Sequence, residues 1–365
     1  IYPDVLSLFD DVKIYKNRAE TNGGGMFITC CAIIKNSEIY ENESLEGGGI
    51  FISGGFLDLY NVNIYRNVAN RCGGIFGAKG NFDRVRVSQN RAKFEGGGIC
   101  YLSIRKYLRN VLIEKNVAQK GGGIFGFSDI YQSVDVENFV IKQNTAYSGG
   151  GIYARSTGFN MNLKGVNLIN NSAYEGGGLF LEIWGHTYNL EDIYFIENVA
   201  DYAGGGIYVY SGNVRFNRIV LKDNRSYKGA GIFVDSQSNI SVENSKILKN
   251  EYTYAGGGMY INENDNVTLR NVVIDNNYYV KSIESMDIMA LGGGVYLFKS
   301  NPFLLNNVYV VNNSAEIGNG IYSTQGYPTF VNSLLEDCVG TIDPGSSHNL
   351  IQDPSNTCGL QDGQN

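Results

Sequence analysis

A hydrophobic residue, two spacers and an asparagine recur twelve times along the chain, each time followed, usually five or six residues later, by a glycine cluster, an aliphatic and an aromatic. The clearest copies are IYRN at residues 64–67 and FIENVADYAGGGIY at residues 195–208. From one glycine cluster to the next the steps run mostly from 24 to 28 residues, with one of 36. A period of that size predicts a solenoid, in which each unit buries its apolar face only against its neighbours.

Aligning the copies on their asparagines separates inward from outward positions. Three and five residues before the Asn lie pairs such as Ile64 and Val62, Val87 and Val85, Leu168 and Val166, and Ile274 and Val272. Alternate apolar residues describe a strand with one face in a core. Only Ser37 and Ser245 interrupt the five-before column. After each glycine cluster a second strand begins, with inward pairs such as Ile50 and Ile52 or Ile207 and Val209. Many coils add a third short pattern, for example Val267 and Leu269 or Ile240 and Val242. Three short strands per coil, joined by bends, predict an all-β fold: a right-handed single-stranded parallel β-helix of about twelve coils over residues 1–332, with residues 333–365 as a C-terminal cap or linker.

The asparagines Asn17, Asn42, Asn67, Asn90, Asn116, Asn144, Asn171, Asn198, Asn224, Asn250, Asn277 and Asn313 then fall at one bend, stacked coil upon coil. A stacked amide donates to one neighbour, accepts from the other and satisfies backbone groups that would otherwise be buried unpaired. Asn also tolerates a left-handed backbone. Two residues on, alanines such as Ala69, Ala92 and Ala200 keep the next bend small, and the glycines permit positive φ and close backbone approach.

By the same alternation the residue after the inward aliphatic points outward, yet it is aromatic in all copies but one: Phe27, Phe51, Phe76, Phe125, Tyr153, Phe180, Tyr208, Phe233, Tyr260, Tyr296 and Tyr322, with Cys100 the exception. These rings predict a stripe on the outer face. The rings stabilise one another by stacking, and an exposed apolar stripe also marks a lateral contact with a protein, a second rod or sugar rings. The long step places an extra loop, YYVKSIESMDIMAL, between Asn277 and Gly292, and loops on rigid scaffolds carry recognition.

Composition narrows the classes. With 47 Gly, 26 Tyr and 5 Pro in 365 residues, the chain suits short strands and tight bends, and 43% hydrophobic content supplies a core. A net charge of -7 without a basic run argues against nucleic acid and against an anionic membrane surface. No stretch is long and apolar enough to span a bilayer, so no direct membrane insertion is expected. Beginning at Ile1 without a signal peptide and ending in QDGQN, the sequence reads as a piece of something larger.

With the hydrophobic-x-x-Asn and Gly-Gly-x-Ile elements in hand, the chain resembles the repeats of chlamydial polymorphic membrane proteins, whose passenger domains carry FxxN and GGA(I/L/V) and work as surface adhesins. Nearly all of residues 10–325 take part, with Gly where that family prefers Ala and only Phe195 supplying its Phe. The tail, CVGTIDPGSSHNLIQDPSNTCGL, is similar to the end of bacterial surface β-helix proteins of the choice-of-anchor type. The resemblance implies a β-helix at the cell surface or in the extracellular space.

Within that tail Cys338 and Cys358 bracket a loop rich in Gly, Pro and Ser, which predicts a disulfide between them. Cys30 and Cys31 are adjacent and are expected to face opposite ways; Cys72 and Cys100 hold different places in their coils and are expected to stay reduced. Sequons at Asn170, Asn239, Asn266 and Asn312 are expected to face outward and to accept glycans, whereas those at Asn42 and Asn224 lie in the buried ladder.

Parallel β-helices also carry polysaccharide lyases and glycoside hydrolases, and hydrolysis needs paired carboxylates at fixed separation. Here Glu114, Glu197, Asp223 and Asp275 scatter before ladder asparagines among Lys16, Arg66, Lys115 and Lys249, a mixed surface. Two histidines, His186 beside Trp184 and Tyr188, and His348, leave no metal cluster, and the acidic run NENDN at residues 262–266 reads as a bend. No cofactor motif is visible. The sequence therefore favours a non-catalytic structural or adhesive solenoid, extracellular or at the cell surface, whose partner is another copy of itself, another surface protein or a polysaccharide. A lyase or hydrolase is the competing expectation.

Overall fold

The computed structural model describes residues 6–127, 135–156, 161–235, 238–263, 266–281, 289–300 and 302–352. It falls into two units, Ile1–Ala173 and Tyr174–Asn365, both built from stacked coils whose strands pair in parallel. No helix occurs among the described residues.

One coil shows the plan. After Asn67 come a short strand, Val68–Arg71, the glycine turn, a second short strand, Ile75–Phe76, and a long strand, Lys79–Ser88, that leads towards Asn90. The long strand joins the two patterns that the sequence separates, and it bends between them at Arg84, where φ is 54°. At the same place in other coils the left-handed residue is Asn61, Asn110 or Asn138 in the first unit and Asn244, Asn271 or Asn307 in the second. Their exposed amides form a second, outer ladder, as in Asn61 to Asn36 at 2.9 Å and Asn271 to Asn244 at 3.0 Å.

The register keeps like beside like. In the first unit Ile39 faces Ile64, followed by Val87, Ile113, Ile141 and Leu168. The second unit stacks Phe195, Leu221, Ile247, Ile274, Val310 and Leu335 in the same way. Every one of these side chains is fully buried, and each contributes about 1.5–3 kcal/mol. The serines that interrupt the neighbouring column cost little, because each hydroxyl finds backbone: Ser37 accepts from Val12 N–H at 3.1 Å and Ser245 from Ile219 N–H at 3.1 Å. Stacking does not stop at residue 332. Leu334–Leu335 pairs on Phe303–Val311, and Leu350–Ile351 pairs on Leu334–Leu335.

The asparagine ladder forms as expected. The side-chain Oδ1 of Asn116 accepts from Asn90 N–H at 2.9 Å and Asn90 Nδ2 at 3.0 Å, while its Nδ2 donates to Val87 O at 2.9 Å and to Asn144 Oδ1 at 3.0 Å. In the first unit the run extends from Asn17 to Asn171 and in the second from Asn198 to Asn313. There Asn313 N–H donates to the Glu336 carboxylate at 2.9 Å. One detail differs from expectation: the left-handed residue is not the ladder Asn but the one before it, such as Glu41, Arg66 or Gln89 with φ of 54–56°. Displacing the strain by one position frees the Asn side chain to turn inward.

The first position of the glycine cluster takes the predicted positive φ, 64° at Gly47, where a Cβ would lie 2.5 Å from Ile50 O. In one coil that position is Cys72, with φ 60°, and it is bonded to Cys100. The expectation that these two stay reduced is thereby overturned. Cys338 is disulfide-bonded as expected, while Cys358 lies outside the described residues. Cys30 and Cys31 do not face apart either: the chain bends at Thr29 and Cys30, and the two sulfurs come to 2.8 Å.

Candidate functional site

The outward aromatics stack coil on coil. In the first unit Phe27, Phe51 and Phe76 follow at 5.3 and 4.6 Å, and Phe125 meets Tyr153 at 5.4 Å. Where Cys100 breaks the column, Tyr101 swings in and bridges Phe76 and Phe125 edge-on at 5.6 and 5.9 Å. In the second unit Phe180, Tyr208, Phe233, Tyr260, Tyr296 and Tyr322 continue at 4.7–5.7 Å. The stripe is not the open surface that the alternation predicts. Phe51, Phe125, Tyr153, Phe180, Tyr208, Phe233, Tyr260 and Tyr296 are buried, Phe76 and Tyr322 are half-buried, and only Phe27, 52% exposed, lies open.

In several coils a cation just before the glycine turn covers the rings. The turn reverses the chain, so this residue lies over the aromatic of its own coil or of the next. Arg71 sits 5.9 Å from the Phe76 ring, Lys120 4.9 Å from Tyr153 and Lys228 5.6 Å from Tyr260. In the first unit the cover is an ion ladder: Arg71 pairs with Glu46 at 3.0 Å and Glu95 at 2.9 Å, and donates to Tyr101 Oη at 2.9 Å. In the second, Tyr208 donates to Asp235 at 3.0 Å, and Asn262 donates to the same carboxylate at 3.0 Å. Burial holds the phenols of Tyr208 and Tyr260 well above their ordinary value and lifts that of Tyr296 to about 12. These hydroxyls stay protonated and structural at neutral pH.

The open surface lies one strand away. In the first unit the strands Glu43–Glu46, Val68–Arg71 and Arg91–Glu95 form a small parallel sheet. Their inward column is Ser44, Ala69 and Ala92, whose small side chains let the sheet lie close to the glycine turns. Outward columns wall a trough of about 1340 Å³ that runs from Arg18 to Gln119. Its walls carry Leu45 (48% exposed), Val68 (44%), Phe94 (43%) and Val117 (39%). Around them stand Arg18, Arg91 and Lys93 with Glu20 and Glu43, and Glu43 pairs with Arg18 at 3.8 Å. The sequence carries a signal for this site that the aromatic column eclipsed: apolar side chains just after a ladder Asn or two before a glycine turn, where outward strand positions are ordinarily polar.

The remaining candidates divide. Asn170, Asn239, Asn266 and Asn312 are exposed, and Asn42 and Asn224 are buried in the ladder, as the sequons require. Of the loop after Asn277, residues 282–288 lie outside the described residues, as do the side chains of Trp184 and His186 and residues 264–265 of the acidic run. Glu114 is not solvated: it is buried and paired with Arg86 and with Lys142 at 3.5 Å.

Residues 157–335 match the family model described as right handed beta helix region. No curated protein and no solved structure matches the chain. The coils are thus those of a right-handed parallel β-helix.

Proposed function

We propose that the chain is a non-catalytic structural or adhesive solenoid of the cell surface or extracellular space, and that it holds its partner along the trough of the first unit. The observation that carries this reading is the row of exposed Leu45, Val68, Phe94 and Val117, set in mixed charge on a rigid parallel sheet. Contiguous apolar surface rimmed by polar groups marks an interaction site. The partner is a second copy of the chain, another surface protein or a polysaccharide. A disulfide between Cys72 and Cys100 suits an oxidising compartment, and the likeness to polymorphic membrane protein passengers supports adhesion at a surface. A hydrolase would need two carboxylates facing one bond; in the trough Glu43 is turned to Arg18 instead.

Incubating the purified chain with acidic and neutral polysaccharides, and following both retention and reducing ends, tests the proposal. Retention or self-association without new reducing ends is expected. Steady release of reducing ends would replace it with the enzymatic reading.

A further inference from the structure

The column before the glycine turns treats its cations differently in the two units. In the first, Arg71 stands in register between Glu46 and Glu95 and is paired with both. In the second, Lys228 stands in register between Ala203 and Ala255, which offer it nothing. Among the described residues the Lys228 ammonium makes no ion pair and no hydrogen bond; its neighbours are the rings of Tyr202 at 5.2 Å, Tyr227 at 5.9 Å, Tyr254 at 5.3 Å and Tyr260 at 5.6 Å. Ring faces attract an ammonium but do not take up its three N–H donors as a carboxylate does. Lys228 is only half-buried, so an anion from outside can reach it.

The rim around this cation is polar. Tyr227 and Tyr254 stack at 5.2 Å with their planes 14° apart, so the faces they turn to each other are spent on the stack and their edges and hydroxyls are left for a ligand. Tyr202, Tyr227 and Tyr254 are each half-buried and occupy the column that holds Leu45 and Phe94 in the first unit. Three half-buried tyrosines about one cation suit a ligand that carries many hydroxyls and one negative charge.

We propose that Lys228, framed by Tyr202, Tyr227 and Tyr254, binds the carboxylate of an acidic saccharide. The site stands on the second unit alone and does not depend on the trough. It requires no chemistry: the carboxylate takes the place that Glu46 and Glu95 hold beside Arg71, and the phenols donate to sugar oxygens.

The test is calorimetric titration of the full chain with an oligogalacturonate, with its methyl ester and with an oligoglutamate peptide, each at low and high salt. Binding of the free acid that weakens with salt, with none of the ester, is expected. Lys228→Met, which keeps an apolar stem against the rings, should lose roughly tenfold or more in affinity, while Lys228→Arg retains most of it. Substituting Leu45 and Phe94 should leave this binding untouched, which separates it from the trough. Equal binding of acid and ester, unchanged affinity in Lys228→Met, or no binding of the free acid would overturn the proposal; tighter binding of the peptide would reassign the site to acidic protein segments. Should Lys228→Met fail to melt like the parent, the ester and salt arms decide alone.

Discussion

Cys72 and Cys100 are joined across neighbouring coils, with their Cα atoms 5.4 Å apart, although they are 28 residues apart and hold different positions in the repeat. Cys72 occupies the first glycine position of its coil and keeps that position's left-handed backbone, φ 60°. Cys100 occupies the aromatic position of the next coil, and a Cβ placed on Gly96 would strike its sulfur. The two columns thus face each other across the turn. A bond between them replaces one ring of the stripe, and Tyr101 fills the gap.

The bridge closes a loop of 28 residues, so the chain-entropy relation assigns it about 3–4 kcal/mol. Cys100→Ser should lose most of that in urea unfolding. Cys72→Gly with Cys100→Phe restores the repeat at both positions and should recover part of the loss. A double variant no more stable than Cys100→Ser would show that the columns do not exchange in this way.

The inner and outer amide ladders should differ sharply. Asn116→Ala strands the backbone N–H of Asn90, takes one of two acceptors from Asn90 Nδ2, which keeps Ile64 O, and removes a donor from the Val87 carbonyl, at a cost of about 1–3 kcal/mol for a buried orphan. Asn110→Ala removes an exposed bond to Asn138 and should cost about 0.5 kcal/mol or less. Chemical denaturation of the two variants compares them directly.

Much of this architecture was legible because each coil repeats its neighbour's environment. A single column of Asn or Ile, seen twelve times, reveals its own role. Two kinds of feature escaped. Alternation correctly turned Phe76 and Tyr260 out of the core, but they are covered by Arg71 and Lys228 folding back over a glycine turn, a contact between columns. The Cys72–Cys100 bond is hidden for the same reason. Left-handed positions such as Lys16 and Arg66 carry no Gly or Asn to announce them.

Glu336 closes the inner ladder of the second unit, and burial, followed by its acidic neighbours Asp337 and Asp275, raises its carboxyl above the ordinary 4.5, against the lowering effect of the Asn313 N–H. A carboxyl raised on folding binds its proton more tightly in the native state. Its contribution is therefore complete below 4.5 and is lost as pH rises through the native value. Glu336→Gln keeps the acceptor and removes the charge. Thermal melts should show the variant more stable than the parent at neutral pH, with the difference vanishing in acid; a less stable variant at neutral pH would contradict this.

In a glycosylating host, peptide mass spectrometry should find glycans on Asn170, Asn239, Asn266 and Asn312, all exposed. Asn42 and Asn224, buried in the ladder, should carry none. A glycan on Asn42 is incompatible with the hydrogen bonds it makes to Asn67 and Ile14.

The most direct measurement concerns the trough. Leu45 and Phe94 are exposed wall residues with no core role, so Leu45→Ser with Phe94→Ser should melt within a few degrees of the parent. In self-association and in retention of neutral polysaccharides the double variant should lose roughly tenfold or more in affinity, as expected when two anchors of about 1 kcal/mol or more each are removed. A folded double variant that still associates like the parent would show that the trough is not the contact surface.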